Sequence, residues 1–166
     1  MRFDHMIPDD FLRNLGDVIV CFAMLENTFK TLTHSLLGSS QQVGQIVTAE
    51  LSFKAIRALA SSLYKQRNGN DECSKSFEQI LSRATKIEAT RNQITHSTWL
   101  TYSGAASVTR FKATARESKG IQFKADDYTS ETLEKFATEI KDLANDVSNL
   151  WVLLVENGKA TNCSVV

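Results

Sequence analysis

The sequence predicts a mostly α-helical protein: a four-helix up-down bundle with a small β-hairpin inserted between the third and fourth helices. Three observations lead there. The 166 residues hold a single proline, Pro8. Apolar residues recur at spacings of three and four through long stretches of the chain, the period of a buried helix face. Period-two alternation is confined to one short region after residue 98.

Composition sets the outer limits. Hydrophobic residues make up 42% of the chain and charged residues 23%, an ordinary balance for a globular domain with a real core. We expect one domain over 1–166, with a loose leader at 1–8 and a tail at 157–166. The formal net charge is zero, so binding to a polyanion has to come from a local patch. Cys21, Cys73 and Cys163 are scattered and form no C-x-x-C pair. That argues against a disulfide framework and a zinc site and fits a reducing, cytoplasmic setting. No signal peptide is expected at the N-terminus. The apolar run Val18 to Leu25 is too short to span a bilayer, so no membrane partner is expected. The end Cys163-Ser164-Val165-Val166 has the outline of a prenylation box without a polybasic cluster, and reads as a frayed terminus.

The first helix follows Pro8, with Asp9 or Asp10 as its cap. Phe11, Leu15, Val18, Phe22, Leu25, Phe29, Leu32 and Leu36 form its stripe, widened by Leu12, Ile19 and Leu37, and it ends near Gly38. Glu26 lies at the edge of this stripe. Ser39 and Ser40 open a second helix over residues 41–66, with Val43, Ile46, Phe53, Ile56, Ala60 and Leu63 on its apolar face and Glu50 on the same face. Arg67-Asn68-Gly69-Asn70-Asp71 is a turn by composition.

The third helix spans residues 71–97. Phe77, Ile80, Leu81, Ala84, Ile87 and Ile94 make its stripe, and Arg91 falls near the middle of it. An unpaired guanidinium on an apolar face is costly. Either an acid from another helix meets it, with Glu26 and Glu50 the candidates, or the face lines a cleft where an anion binds. Asn92 and His96 share a flank of the helix, with Glu88 one turn earlier.

Strand formers follow: Trp99, Tyr102, Val108, Thr109 and Phe111. Ser103-Gly104-Ala105 and Glu117-Ser118-Lys119-Gly120 are turns, and Ile121 to Lys124 returns along the hairpin. Val108, Arg110, Lys112, Thr114 and Arg116 share one face; Thr109, Phe111, Ala113 and Ala115 share the other. This predicts an apolar underside and a basic top, on which Arg110, Lys112 and Arg116 are candidate RNA-binding cations; a solvated edge hairpin whose charges prevent edge pairing is the alternative. Thr129-Ser130-Glu131 caps the last helix, whose stripe is Leu133, Phe136, Ile140, Leu143, Val147, Leu150, Trp151 and Leu154.

Arg91-Asn92-x-x-x-His96, at the end of the third helix of such a bundle, resembles the HEPN superfamily. Ile94, Ser97 and Trp99 resemble the usual setting of that motif. The resemblance covers most of the chain and implies that Arg91, Asn92 and His96 form the active site of a ribonuclease. Glu26 is similar to an acid that some members place on the first helix. A tyrosine found two residues after the histidine in one toxin branch is Thr98 here.

Elementary chemistry agrees with that implication. Metal-independent RNA cleavage uses the 2′-hydroxyl as nucleophile and needs a base, an acid and cations for the developing charge. Histidine suits either proton role near neutrality, and arginine offers a fixed charge with fork geometry. One chain brings one histidine to the motif, so two chains across a twofold axis would complete the site. The expectation is a homodimeric, metal-independent endoribonuclease of HEPN type that needs no cofactor or metal. Its partners would be RNA, a second copy, and an antitoxin or regulatory protein, in bacterial defence or a toxin–antitoxin setting. The alternative is a catalytically inactive HEPN-like module that binds a protein or nucleotide. A structural ion pair for Arg91 and a helix-terminal role for His96 would suit that alternative.

Overall fold

The computed structural model describes residues 7–101, 105, 107–116 and 120–161, with only the backbone of Arg116. The leader up to residue 6, the turns at residues 103–104 and 117–119, Tyr102 and the end from residue 162 lie outside the described residues.

The protein is mostly helical. Helix α1 (Asp9–Leu37) runs through its middle, burying Phe11, Val18, Phe22, Leu25, Phe29, Leu32 and Leu36 against α5, α3 and their neighbours. Gly38 ends it in the left-handed region at φ 68°, where its N–H reaches the His34 carbonyl at 3.2 Å. A side chain is disfavoured in that conformation, which makes glycine the natural stop.

The expected second helix is in fact two, α2 (Gln41–Thr48) and α3 (Phe53–Asn68), each started by its own serine. Ser40 accepts the Val43 N–H and Ser52 accepts the Ala55 N–H. The reason for the break lies in what each half must bury. Gly44 sits so close to the His34 ring that an added Cβ would come within 2.6 Å of it. Phe53 packs edge-on against Phe22 and Phe29, with ring centroids 5.0 and 5.2 Å apart. Nine residues at 100° each put Gly44 and Phe53 on opposite faces of one helix. A continuous helix could not press both onto α1, so the chain breaks at residues 49–52. Val43 and Ile46, expected on the buried stripe, are 46% and 77% exposed instead.

Helix α4 (Ser74–Thr95) buries Phe77, Ile80, Ala84, Ile87 and Ile94, and α5 (Ser130–Glu156) buries Leu133, Ile140, Leu143, Val147, Leu150 and Leu154. Thr129 caps α5 through the Thr132 N–H at 3.1 Å. Trp151 donates its indole N–H to the Ser35 hydroxyl at 2.7 Å, tying α5 to α1. The first residues of the expected tail are docked. Ala160 is buried, the Thr161 N–H meets the Ser35 carbonyl at 3.0 Å, and Lys159 pairs with Asp71 at 2.9 Å.

Between α4 and α5 lies an antiparallel sheet of three strands in the order β1 (Thr98–Leu100), β2 (Val108–Arg116), β3 (Gly120–Tyr128). The hairpin is thus joined by a third, short strand. Its faces are the reverse of the expectation. Val108 and Arg110 are buried toward the helices, and Trp99, paired with Arg110 in the ladder, packs on Phe11 and Tyr128. The apolar set points outward: Phe111 stacks on Phe123 at 5.6 Å, and Ile121 and Phe123 are each 67% exposed.

Candidate functional site

Arg91 lies between buried Ile87 and Ile94 on the core face of α4, and is itself half-buried. Its guanidinium carbon stands 4.4 Å from the centroid of the Phe22 ring on α1. That cation–π geometry suits a planar, weakly hydrated cation. Nη1 donates to Asn92 Oδ1 at 2.9 Å, while Nε is buried with no hydrogen-bond partner among the described residues.

Neither expected acid reaches Arg91. Glu26 pairs with Lys30, one turn along α1, at 3.4 Å. Glu50 lies exposed in the break between α2 and α3, because the stripe on which it was placed does not exist there. Glu88, one turn before Asn92, is taken by Arg57 of α3, which also donates to Thr85. Among the described residues no carboxylate pairs with Arg91.

Arg57 is a residue that the sequence reading missed. It is buried beneath the Phe53 ring at 5.2 Å. Its signal was its place at helical spacing among Phe53, Ala60 and Tyr64, an arginine on an apolar face just as Arg91 is.

The end of α4 is fixed by side chains that take its last carbonyls. Thr95 Oγ1 donates to the Arg91 carbonyl at 3.0 Å, Ser97 Oγ to that of Gln93, and Trp99 Nε1 to that of Ile94 at 3.2 Å. The bonds to Gln93 and Ile94 satisfy carbonyls that a helix end otherwise leaves open. His96 is the C-cap residue, its N–H on the Asn92 carbonyl at 3.3 Å and its side chain exposed. Arg91, Asn92 and His96 therefore share the last turn and a half of a helix whose end is anchored. No family model, curated protein or solved structure matches the chain.

Of the hairpin cations, Arg110 is not available to a ligand as expected. Its side chain is 1% exposed and ion-paired with Asp126. Nη1 also reaches the Gln93 carbonyl at 3.5 Å and Ser97 Oγ at 3.4 Å, so the cation sits at the negative end of α4. It fastens sheet to helix. Lys112 is half-exposed, and Lys124, directly opposite it on β3, is exposed. Arg116 ends β2 opposite Gly120; its side chain lies outside the described residues.

Chemically, the motif offers a cation held by an aromatic ring rather than by a carboxylate, an amide leaning on it, and a solvent-accessible imidazole. The set can meet a phosphate and move a proton.

Proposed function

We propose that the protein is a metal-independent endoribonuclease of HEPN type, cytoplasmic, acting as a homodimer in a defence or toxin–antitoxin setting. In this reading α1, α3, α4 and α5 are the four helices of the bundle and α2 is an interruption. One observation carries the reading: the half-buried Arg91 guanidinium is stacked on Phe22 with no carboxylate among the described residues to neutralise it. A purely structural arginine in such a place is expected to have an acid partner, as Arg57 has Glu88. Arg91 is left for an anion supplied from outside.

The chemistry follows from the residue types. Arg91 binds the scissile phosphate and stabilises the charge of the phosphorane-like transition state. Asn92 holds the guanidinium through its Oδ1. His96 of one protomer takes the 2′-hydroxyl proton as O2′ attacks phosphorus. The equivalent histidine of a second copy protonates the departing 5′-oxygen. The products are a 2′,3′-cyclic phosphate and a 5′-hydroxyl. A second copy is required because each chain brings a single histidine to the motif. Ile19, Val20 and Met24, exposed on the helix that carries Phe22, offer apolar surface for that association.

RNA cleavage by wild-type protein and by His96→Ala, in excess EDTA, tests the reading. Cleavage is expected from the wild type and none from the variant, with equal helicity by circular dichroism. Full activity in His96→Ala would overturn it. The non-catalytic alternative would be favoured by Arg91 and His96 locked in ion pairs, and no such pair is found among the described residues.

A further inference from the structure

The inner face of the β2–β3 hairpin overhangs the end of α4 and encloses a groove of about 670 Å³. Gln93, Arg110, Lys112, Thr114, Gln122 and Lys124 line it. No carboxylate is among the lining residues. Lys112 and Lys124 face each other across the ladder, an arrangement that is unfavourable for like charges unless something negative lies between them. The nearest acid, Asp126, is already held by Arg110 and stands 3.4 Å from Lys124. Among the described residues the two ammonium groups therefore share at most part of one carboxylate. Gln93, Gln122 and Thr114 add uncharged donors.

The groove adjoins a second groove that shares Gln93, Arg110 and Lys124 and adds Lys135 beside Asp126, Asp127 and Glu139, so that there acids offset the cations, as they do not in the first. Gln93, which lines both grooves, stands three residues before His96 on α4.

We propose that this groove holds the sugar–phosphate backbone of a single RNA strand, with Lys112 and Lys124 each neutralising a phosphate, and leads it to His96. The inference rests on the ribonuclease reading and replaces Arg110 with Lys124 as a backbone contact. Contacts of this kind position the strand and carry no sequence information.

The test is fluorescence anisotropy with a labelled twelve-residue oligouridylate over a salt series. His96→Ala serves as the parent, so that binding is read without cleavage. Adding Lys112→Gln and Lys124→Gln is expected to weaken binding about tenfold or more and to reduce the slope of log K against log salt by about 1.4, the value for two lost phosphate contacts on a single strand. Lys112→Arg with Lys124→Arg, which keeps both charges, is expected to retain the affinity of the parent. Both lysines have solvent access and repel each other, so their loss leaves the fold intact, checked by thermal melting. Unchanged affinity and slope would overturn the proposal, as would tighter binding of a duplex of equal length. The two readings fail separately. If the wild type cleaves and the double-lysine variant binds and cleaves equally well, the groove falls and the ribonuclease stands. If RNA binding depends on the lysines but the wild type never cleaves, the groove stands and the ribonuclease falls.

Discussion

A charged side chain in this protein is defined by what neutralises it. Arg57 has Glu88, Arg110 has Asp126, and Arg83 reaches Asp146. Arg91 has an aromatic ring and an amide. Its place on the core face was legible from spacing alone. Its lack of an acid was not, because partner choice depends on how helices turn about their axes. Asp71 makes the opposite case, a carboxylate with several partners. Burial works to raise its pKa, but hydrogen bonds from Tyr64, Lys159 and Ser74 outweigh that and hold it at about 2 against an ordinary 3.8. A carboxylate depressed on folding stabilises the native state above its unfolded pKa, and this is lost as pH falls through the folded value. Stability contributed by Asp71 is therefore complete above about pH 3.8 and disappears toward pH 2. Asp71→Asn is expected to lower the melting temperature at pH 5 and to flatten its fall between pH 4 and 2. A variant that melts like wild type throughout would remove Asp71 from the account.

At the scale of elements, periodicity gave the long helices well. The buried residues of α4 are all on the expected stripe and those of α5 all but Ala137, whereas α1 also buries Cys21, Thr33, His34 and Ser35 off its stripe. It failed at α2–α3, where good helix formers span the break and the deciding fact is tertiary: Gly44 and Phe53 must both face α1. Gly44 is the test. Its Cβ would meet the His34 ring at 2.6 Å, and that ring is held at 2.8 Å by Thr48. Burial and nearby Lys30 lower the His34 pKa, which favours the neutral ring that packs there. Gly44→Ala is expected to destabilise the fold by about 1–3 kcal/mol in denaturant melts, the range for overpacking a filled site. Gly16→Ala, where nothing lies within 4 Å of the added carbon, is its control and should not destabilise. The hairpin shows a different limit. Alternation separates its two faces but does not say which one turns inward. Here the strand ends decide. Trp99, Val108 and Tyr128 pack at the helix end, and Arg110 finds both Asp126 and the carbonyl end of α4.

For the whole molecule, the zero net charge means that any RNA path is local, and the proposed one lies on the side of the sheet facing α4. The proposed chemistry needs two histidines at one phosphate and therefore a pair of chains. Light scattering at micromolar concentration is expected to give twice the 18.5 kDa chain mass; a stable monomer that cleaves RNA would contradict the two-chain mechanism. The candidate motif was readable from sequence because its spacing is local. The groove was not, since it joins α4 to residues of β2 and β3 through the packing of Arg110.

The most direct measurement is of product ends. Purified wild-type protein and His96→Ala are incubated with RNA in excess EDTA, and the fragments are tested for terminal chemistry. Fragments with 2′,3′-cyclic phosphate and 5′-hydroxyl ends are expected from the wild type and none from the variant. Fragments with 3′-hydroxyl and 5′-phosphate ends, or equal cleavage by His96→Ala, would contradict the proposed chemistry.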